Sequence, residues 1–236
     1  MRVVEEFISI QGEGKYIGTP SYFIRTVGCN LRCVWKNDDG TVTACDTPYA
    51  SFRPEKGYEF KIDKTLEKLV NSNIEHVVIT GGEPTLMSDL PKVAEEFYRK
   101  GYFVTVETNG TKHYDNMPNA FISISPKLSN SYNQLSGNDY MIHVRNNMYH
   151  IPSMEWMRTN DYQFKFVVNS PEDIAEIERV QTILRIPNNK IYLMPQGVTN
   201  KQLRQKSVWI VDEAIKHGWN FTPRLHINLF GNVRGK

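Results

Sequence analysis

The chain contains three cysteines, and all of them fall in one short stretch, Cys29-x3-Cys33-x11-Cys45, directly after an apolar run over residues 22–28. A structural zinc site closes with four ligands, whereas three protein ligands leave one position to water, substrate or cofactor. Three thiolates also suit a [4Fe-4S] cluster whose remaining iron stays open to a small molecule, because soft thiolate sulfur is the usual ligand of iron–sulfur centres. Unrelated core cysteines would be scattered rather than gathered in one segment. A second chemical signal is Thr80-Gly81-Gly82-Glu83-Pro84, which follows the apolar run 76–79 and precedes a helical pattern. Paired glycines after a strand let backbone approach a ligand closely, and Glu83 offers a carboxylate to an amine at the carboxyl end of that strand. Standing alone, the same five residues would read as a turn.

Such residues need strands to carry them. Apolar runs of strand character cover residues 21–27, 76–80, 102–108, 121–125, 163–168 and 191–194, with helical patterns between them. Helices are expected over 64–71 with Asp63 as cap, over 88–100 ended by Gly101, over 171–184 with Ser170 as cap and Asp173 three residues on, and over 201–217 ended by Gly218. Ile174, Ile177, Val180, Gln181 and Leu184 fall on one face, as do Val211, Ala214 and Ile215. Alternating strands and helices imply right-handed βαβ units and a parallel sheet. About six strands are too few for a closed eight-stranded barrel, so the expected fold is an open partial (β/α) barrel. The connection 110–120, which holds Pro118, shows no periodicity. Residues 130–161 read as loop with a short helix near 153–158. Each motif lies at or just after a strand's carboxyl end, the face that carries the site in barrel-like α/β folds.

With 236 residues the chain is expected to form one domain, 1–236, with an insertion at 34–44 in its cysteine loop. The balance of 28 basic and 26 acidic residues gives no nucleic-acid footprint and no anionic-membrane patch. No run approaches a membrane span, acids interrupt residues 1–6 where a secretory signal would be apolar, and an odd cysteine count argues against a disulfide framework. The expectation is a cytoplasmic protein handling a small, partly anionic ligand. Arg25, four residues before Cys29, could fork onto a ligand carboxylate or pair with a structural acid. His226 alternates with apolar neighbours in a strand-like run and reads as structural.

Further motifs complete the series: Ile10-Gln11-Gly12-Glu13-Gly14, Gly28-Cys29-Asn30-Leu31-Arg32-Cys33, Cys45-Asp46-Thr47, Glu107-Thr108-Asn109-Gly110, Ser125-Pro126-Lys127 and Leu229-Phe230-Gly231-Asn232-Val233-Arg234-Gly235. In the cysteine loop and Gly-Gly-Glu-Pro the sequence resembles the radical S-adenosylmethionine (SAM) superfamily. In Gln-Gly-Glu-Gly and the terminal Gly-Asn-x-Arg-Gly it resembles, within that superfamily, the 7-carboxy-7-deazaguanine synthase family. The resemblance implies a carbon–nitrogen lyase of queuosine or related deazapurine biosynthesis. Its reaction would be the radical-mediated ring contraction of 6-carboxy-5,6,7,8-tetrahydropterin to 7-carboxy-7-deazaguanine with release of ammonia.

It also implies a distribution of roles. Cys29, Cys33 and Cys45 would hold a [4Fe-4S] cluster. Ala44, Cys45, Asp46, Gly82, Glu83, Glu107, Asn109, Ser125, Pro126, Lys127, Met194, Pro195, Gln196 and Gly197 would surround SAM. Ile10, Gln11, Gly12, Arg25 and Thr80 would meet the pterin, and Thr47 would present its hydroxyl to Mg2+. No side chain is assigned as catalytic, since the radical comes from SAM. An electron-donor protein such as flavodoxin and a homodimer are further implications. The chain departs from the family where the loop usually closes as Cys-x3-Cys-x2-Cys. Residues 34–44 intervene here, Ala44 replaces a frequent aromatic, and residues 36–41 read as a polar turn that can return Cys45 at small entropic cost. Two rivals are another radical SAM enzyme, such as a glycyl-radical activase, and a non-enzymatic zinc-stabilised binding module.

Overall fold

A computed structural model describes residues 1–37, 39–117 and 119–236; the part of the expected polar turn at Asp38, and Pro118, lie outside the described residues. In chain order the elements are β1 (Arg2–Ile10), β2 (Pro20–Thr26), β3 (Val34–Lys36), β4 (Val42–Ala44), β5 (Tyr58–Glu59), α1 (Ile62–Val70), β6 (His76–Gly81), α2 (Leu90–Arg99), β7 (Phe103–Thr108) and β8 (Phe121–Ile124). There follow α3 (Gly137–Asn146), α4 (His150–Thr159), β9 (Tyr162–Val168), α5 (Glu172–Leu184), β10 (Ile191–Pro195), α6 (Asn200–His217), β11 (Asn220–Phe221) and α7 (Leu225–Phe230).

One sheet runs β11-β10-β9-β8-β7-β6-β2-β1-β5, with every neighbouring pair from β2 to β11 parallel. It does not close, so the fold is the open partial barrel expected. β1 was not foreseen as a strand. It runs antiparallel to β2, and a register shift between Val3 and Glu5 lets Val3 and Val4 both be buried, which breaks the alternation that would betray a strand in the sequence. On β9 the period of two is plain: Phe164, Phe166 and Val168 join the main apolar core, while Lys165 and Val167 border a cleft on the other face. Buried His76 ties three strands together, its ring nitrogens 2.8 Å from Ser21 Oγ and 2.8 Å from Thr105 Oγ1. Burial lowers its pKa to about 4, so it is neutral there.

Helix boundaries follow local chemistry more closely than the sequence reading did. α1 starts one residue ahead of Asp63, which sits in the first turn beneath Lys61 and makes no capping bond. Pro171 caps α5, and Asp173 reaches back to accept from the Asn169 and Ser170 amides at 2.6 and 2.9 Å. Thr199 and Gln202 form a reciprocal capping box on α6, and Gly218 ends it at φ 67°. The inward face of α6 is Leu203, Ile210 and Ala214; Val211 is half-buried and Ile215 exposed, a rotation of the stripe expected from the sequence. Residues 130–161 hold two helices rather than one, α3 having been hidden by its polar composition. His226 lies on α7, a helix and not the strand that its alternating neighbours suggested. No described helix is long and apolar enough to cross a membrane.

Candidate active site

The carboxyl ends of the parallel strands open on a cavity of about 590 Å³. Two loops build its first wall. In the loop after β2 the Gly28 carbonyl accepts from the Glu83 amide at 2.8 Å, and a Cβ on Gly82 would lie 2.1 Å from that same carbonyl oxygen. The second glycine of the Gly-Gly pair is therefore required by the neighbouring loop's backbone, a different reason from the ligand approach expected, although Gly82 does border the cavity. Glu83 does not border it. Its carboxylate is 0% exposed and accepts from Thr85 N, Thr85 Oγ1, Thr108 Oγ1 and Asn109 N at 3.0, 2.7, 2.7 and 2.6 Å, which binds the end of β6 to the end of β7. The carboxylate that the sequence offered to an amine is here engaged by these internal donors. Pro126 likewise points away, buried, between cavity residues Ser125 and Lys127, which bond each other at 2.8 Å.

The three cysteines are free thiols and all border the cavity. The 34–44 insertion is the hairpin β3–β4, and it closes with Cys45 N donating to Cys33 O at 3.0 Å, so the long excursion returns the third cysteine beside the second. Burial pushes the Cys29 thiol up to about 12, with the Glu83 charge adding to it, and lifts Cys33 well above its ordinary value. Iron must displace those protons when a cluster forms. Among the described residues no three His, Cys, Asp or Glu side chains gather as ligands of one ion. A [4Fe-4S] cluster would take one thiolate on each of three different irons, whereas a structural zinc closes four ligands on one ion. Trp35 packs with Leu31 and Cys33 against Val167 and borders the cavity, fixed by its Nε1 donating to Asn130 Oδ1 at 3.2 Å. An aromatic wall thus exists beside the cluster loop, supplied by β3 rather than by position 44.

The opposite wall is ionic. Lys165 Nζ lies 2.7 Å from Glu13 Oε2 and 2.8 Å from Glu107 Oε2, Gln11 Nε2 donates to Glu107 Oε1 at 3.1 Å, and Arg224 joins Glu13 at 3.1 Å to Asp46. Burial alone would raise the Glu13 carboxyl, but the charges of Lys165 and Arg224 outweigh it and hold it well below the usual carboxylate range. A Cβ on Gly12 would strike His226 Nδ1 at 2.1 Å, so glycine there lets the imidazole lie on the loop at the cavity edge. Arg25 gives Nε to Glu5 Oε1 at 2.7 Å and borders the cavity with Thr80 and Phe7. Thr47 Oγ1 stands 3.5 Å from Cys45 Sγ.

A model of the radical SAM superfamily matches residues 23–127. The 7-carboxy-7-deazaguanine synthase of Rhodopirellula baltica is 38% identical over 99% of this chain and 88% of its own, and that of Halobacterium salinarum 35% identical over 97% and 90%. The chain belongs to the 7-carboxy-7-deazaguanine synthase family. A crystal structure of QueE from Escherichia coli shares the fold at a TM-score of 0.69 and 22% identity, covering 95% of this chain and 94% of that one.

Membership brings a [4Fe-4S] cluster and SAM, and the three cavity thiols are the residues that would hold the cluster. Apart from Glu83 and Pro126, every position that the family resemblance assigned to cofactor, pterin or metal borders this cavity. Among the cavity residues to which the sequence gave no role, four stand out. Glu13 was quoted only as part of a motif, and Lys165 stood in an apolar strand where its odd position in the period of two was the available signal. Arg224 gave no local signal, and Trp35, two residues after Cys33, was overlooked because the aromatic was sought at position 44.

Proposed function

We propose that this protein catalyses the conversion of 6-carboxy-5,6,7,8-tetrahydropterin to 7-carboxy-7-deazaguanine and ammonia as a radical SAM carbon–nitrogen lyase. The observation that carries the reading is that motifs scattered from Gln11 to Gln196 border one cavity together with the three thiols. When bound, the cluster and SAM supply the electron and the carbon radical that start the reaction. The protein's own residues hold and orient. Gln196, whose side-chain and main-chain oxygens accept from buried Lys206 at 2.9 and 3.2 Å, is fixed for the SAM end of the cavity with Met194, Pro195 and Gly197. Lys127 and Ser125 serve its ribose side, Gly82 and Asn109 its amino-acid side, and Ala44 and Asp46 the cluster loop. Ile10, Gln11, Gly12 and Thr80 take the pterin. We read residues 1–236 as one domain, with the hairpin at 34–44 as its insertion. Three unpaired thiols suit a reducing cytoplasm, and a flavodoxin-like donor and a homodimer complete the proposal.

Anaerobic incubation of reconstituted protein with SAM, reductant, Mg2+ and the carboxytetrahydropterin should give 7-carboxy-7-deazaguanine. SAM cleavage without that product would favour another radical enzyme, and stoichiometric zinc without iron would favour a binding module.

Within this reading Arg25 receives the substrate carboxylate on the part of its fork not given to Glu5. Arg25→Ala should cost on the order of 2–3 kcal/mol, about 30- to 150-fold in substrate affinity, with Arg25→Lys recovering only part. Unchanged pterin binding by Arg25→Ala with its cluster intact would remove it from the site. Thr47 carries the Mg2+ role: a hard ion takes hydroxyl and carboxylate oxygens while keeping waters. Thr47→Ala should slow product formation and flatten its Mg2+ dependence while uncoupled SAM cleavage continues. A full Mg2+ response in that variant would make Thr47 an ordinary turn residue.

A further inference from the structure

Lys165 is the least expected residue in the cavity. It sits mid-strand in β9, its side chain is only 5% exposed, and its single nitrogen meets two carboxylates, Glu13 from the loop after β1 and Glu107 from β7. Stability does not call for it, because a buried ion cluster is commonly replaceable by apolar side chains at no cost. The groups that face it are few. Glu13 is shared with Arg224 and lies 4.0 Å from His226 Nε2, Glu107 is shared with Gln11, and Arg224 passes on to Asp46. Each carboxylate oxygen that meets Lys165 or Gln11 keeps a second lone pair, and both carboxylates border the cavity.

Without the lysine, two carboxylates brought this close would repel, and like charges in a dry site favour the state in which one of them carries a proton. A retained proton would turn one acceptor into a donor. The proposed substrate presents N–H groups along its pyrimidinone edge and therefore needs acceptors. We infer that Lys165 is a positioning residue which keeps Glu13 and Glu107, the latter placed with SAM by the family resemblance, together as an ionised acceptor pair for the N–H edge of the pterin. The inference rests on the pterin reading above and adds to it a residue to which that reading gave no role.

The test is equilibrium binding of 6-carboxy-5,6,7,8-tetrahydropterin to the SAM-loaded holoenzyme, anaerobically and without reductant, from pH 5.5 to 8. Lys165→Met should bind more weakly than wild type, and its affinity relative to wild type should fall about tenfold further between pH 8 and pH 5.5 as the pair takes up a proton. Lys165→Arg keeps the charge and should hold the ratio level. The double variant Lys165→Met/Glu107→Gln, with one carboxylate removed, should also hold it level. Lys165→Gln covers the case in which methionine does not fold; it brings no charge and should show the same tilt. A residue that merely supports the fold would lower affinity equally at every pH, so a Lys165→Met or Lys165→Gln curve parallel to wild type overturns the inference and leaves the substrate reading standing. Failure of the wild type to bind the pterin at any pH overturns the substrate reading, and this inference with it.

Discussion

Cys45→Ala should yield a folded protein that takes up no stable [4Fe-4S] cluster and cleaves no SAM. Cys29 and Cys33 sit four residues apart and could seem a sufficient anchor, but two thiolates leave two irons without protein ligands, and the cluster would be lost to solvent or chelators. Cys45 would reach the cluster as its third ligand because the β3–β4 hairpin folds back on itself. The register Val34↔Ala44, Trp35↔Thr43 and Lys36↔Val42 leads directly into the Cys45 N to Cys33 O bond. No ligand is assigned to the hairpin's outer turn, so shortening residues 37–41 while keeping both strands should lower cluster content far less than the single substitution does. Iron and sulfide content with the charge-transfer absorbance of anaerobic preparations checks both. A Cys45→Ala protein with a normal, SAM-cleaving cluster would place the third ligand elsewhere and leave the insertion unexplained.

What could be read from the sequence is what repeats or clusters. Six of the seven parallel strands were visible because each is a short apolar run between helical patterns; the two-residue β11 is too short to make one. Cys29, Cys33 and Cys45 were visible because cysteine is otherwise absent. Arg25, Gln11 and Thr80 gained roles through family motifs, and the fold brings them to the same cavity. The remainder depends on tertiary geometry. β1 was missed because the bulge at Val4 breaks its period, and α3 because Gly137, Asn138 and Asp139 open it with turn-forming residues. Lys165, Glu13, Glu107 and Arg224 meet across long sequence separations, from a strand interior, a loop and a chain end, so no local pattern announces their network. Glu83 shows the converse. Its motif was legible but the buried bonds of its carboxylate were not, because a carboxylate next to two glycines looks free to reach a ligand until the neighbouring loop is in place.

The position of Glu83 makes a large and separable prediction. Glu83→Ala removes the acceptor for four bonds donated by Thr85, Thr108 and Asn109 at a fully buried position. Leaving buried amide and hydroxyl donors unsatisfied costs about 1–3 kcal/mol each, partly relieved by rotation of the hydroxyls, so the net loss should be roughly 4–5 kcal/mol of folding stability. That is a large part of what a domain of this size usually possesses. Glu83→Gln keeps one oxygen for the threonine hydroxyls but turns an amide toward the Asn109 N–H, and it should lose about half as much. Urea unfolding of the cluster-free protein measures the effect with no cofactor present. A ligand-contacting glutamate would behave oppositely: stability would stay within about 1 kcal/mol of wild type, as for substitutions away from buried networks, while SAM affinity fell. That pattern would return Glu83 to the cavity; the expected one makes it the clasp between β6 and β7 that holds Gly82 and Asn109 at the cavity wall.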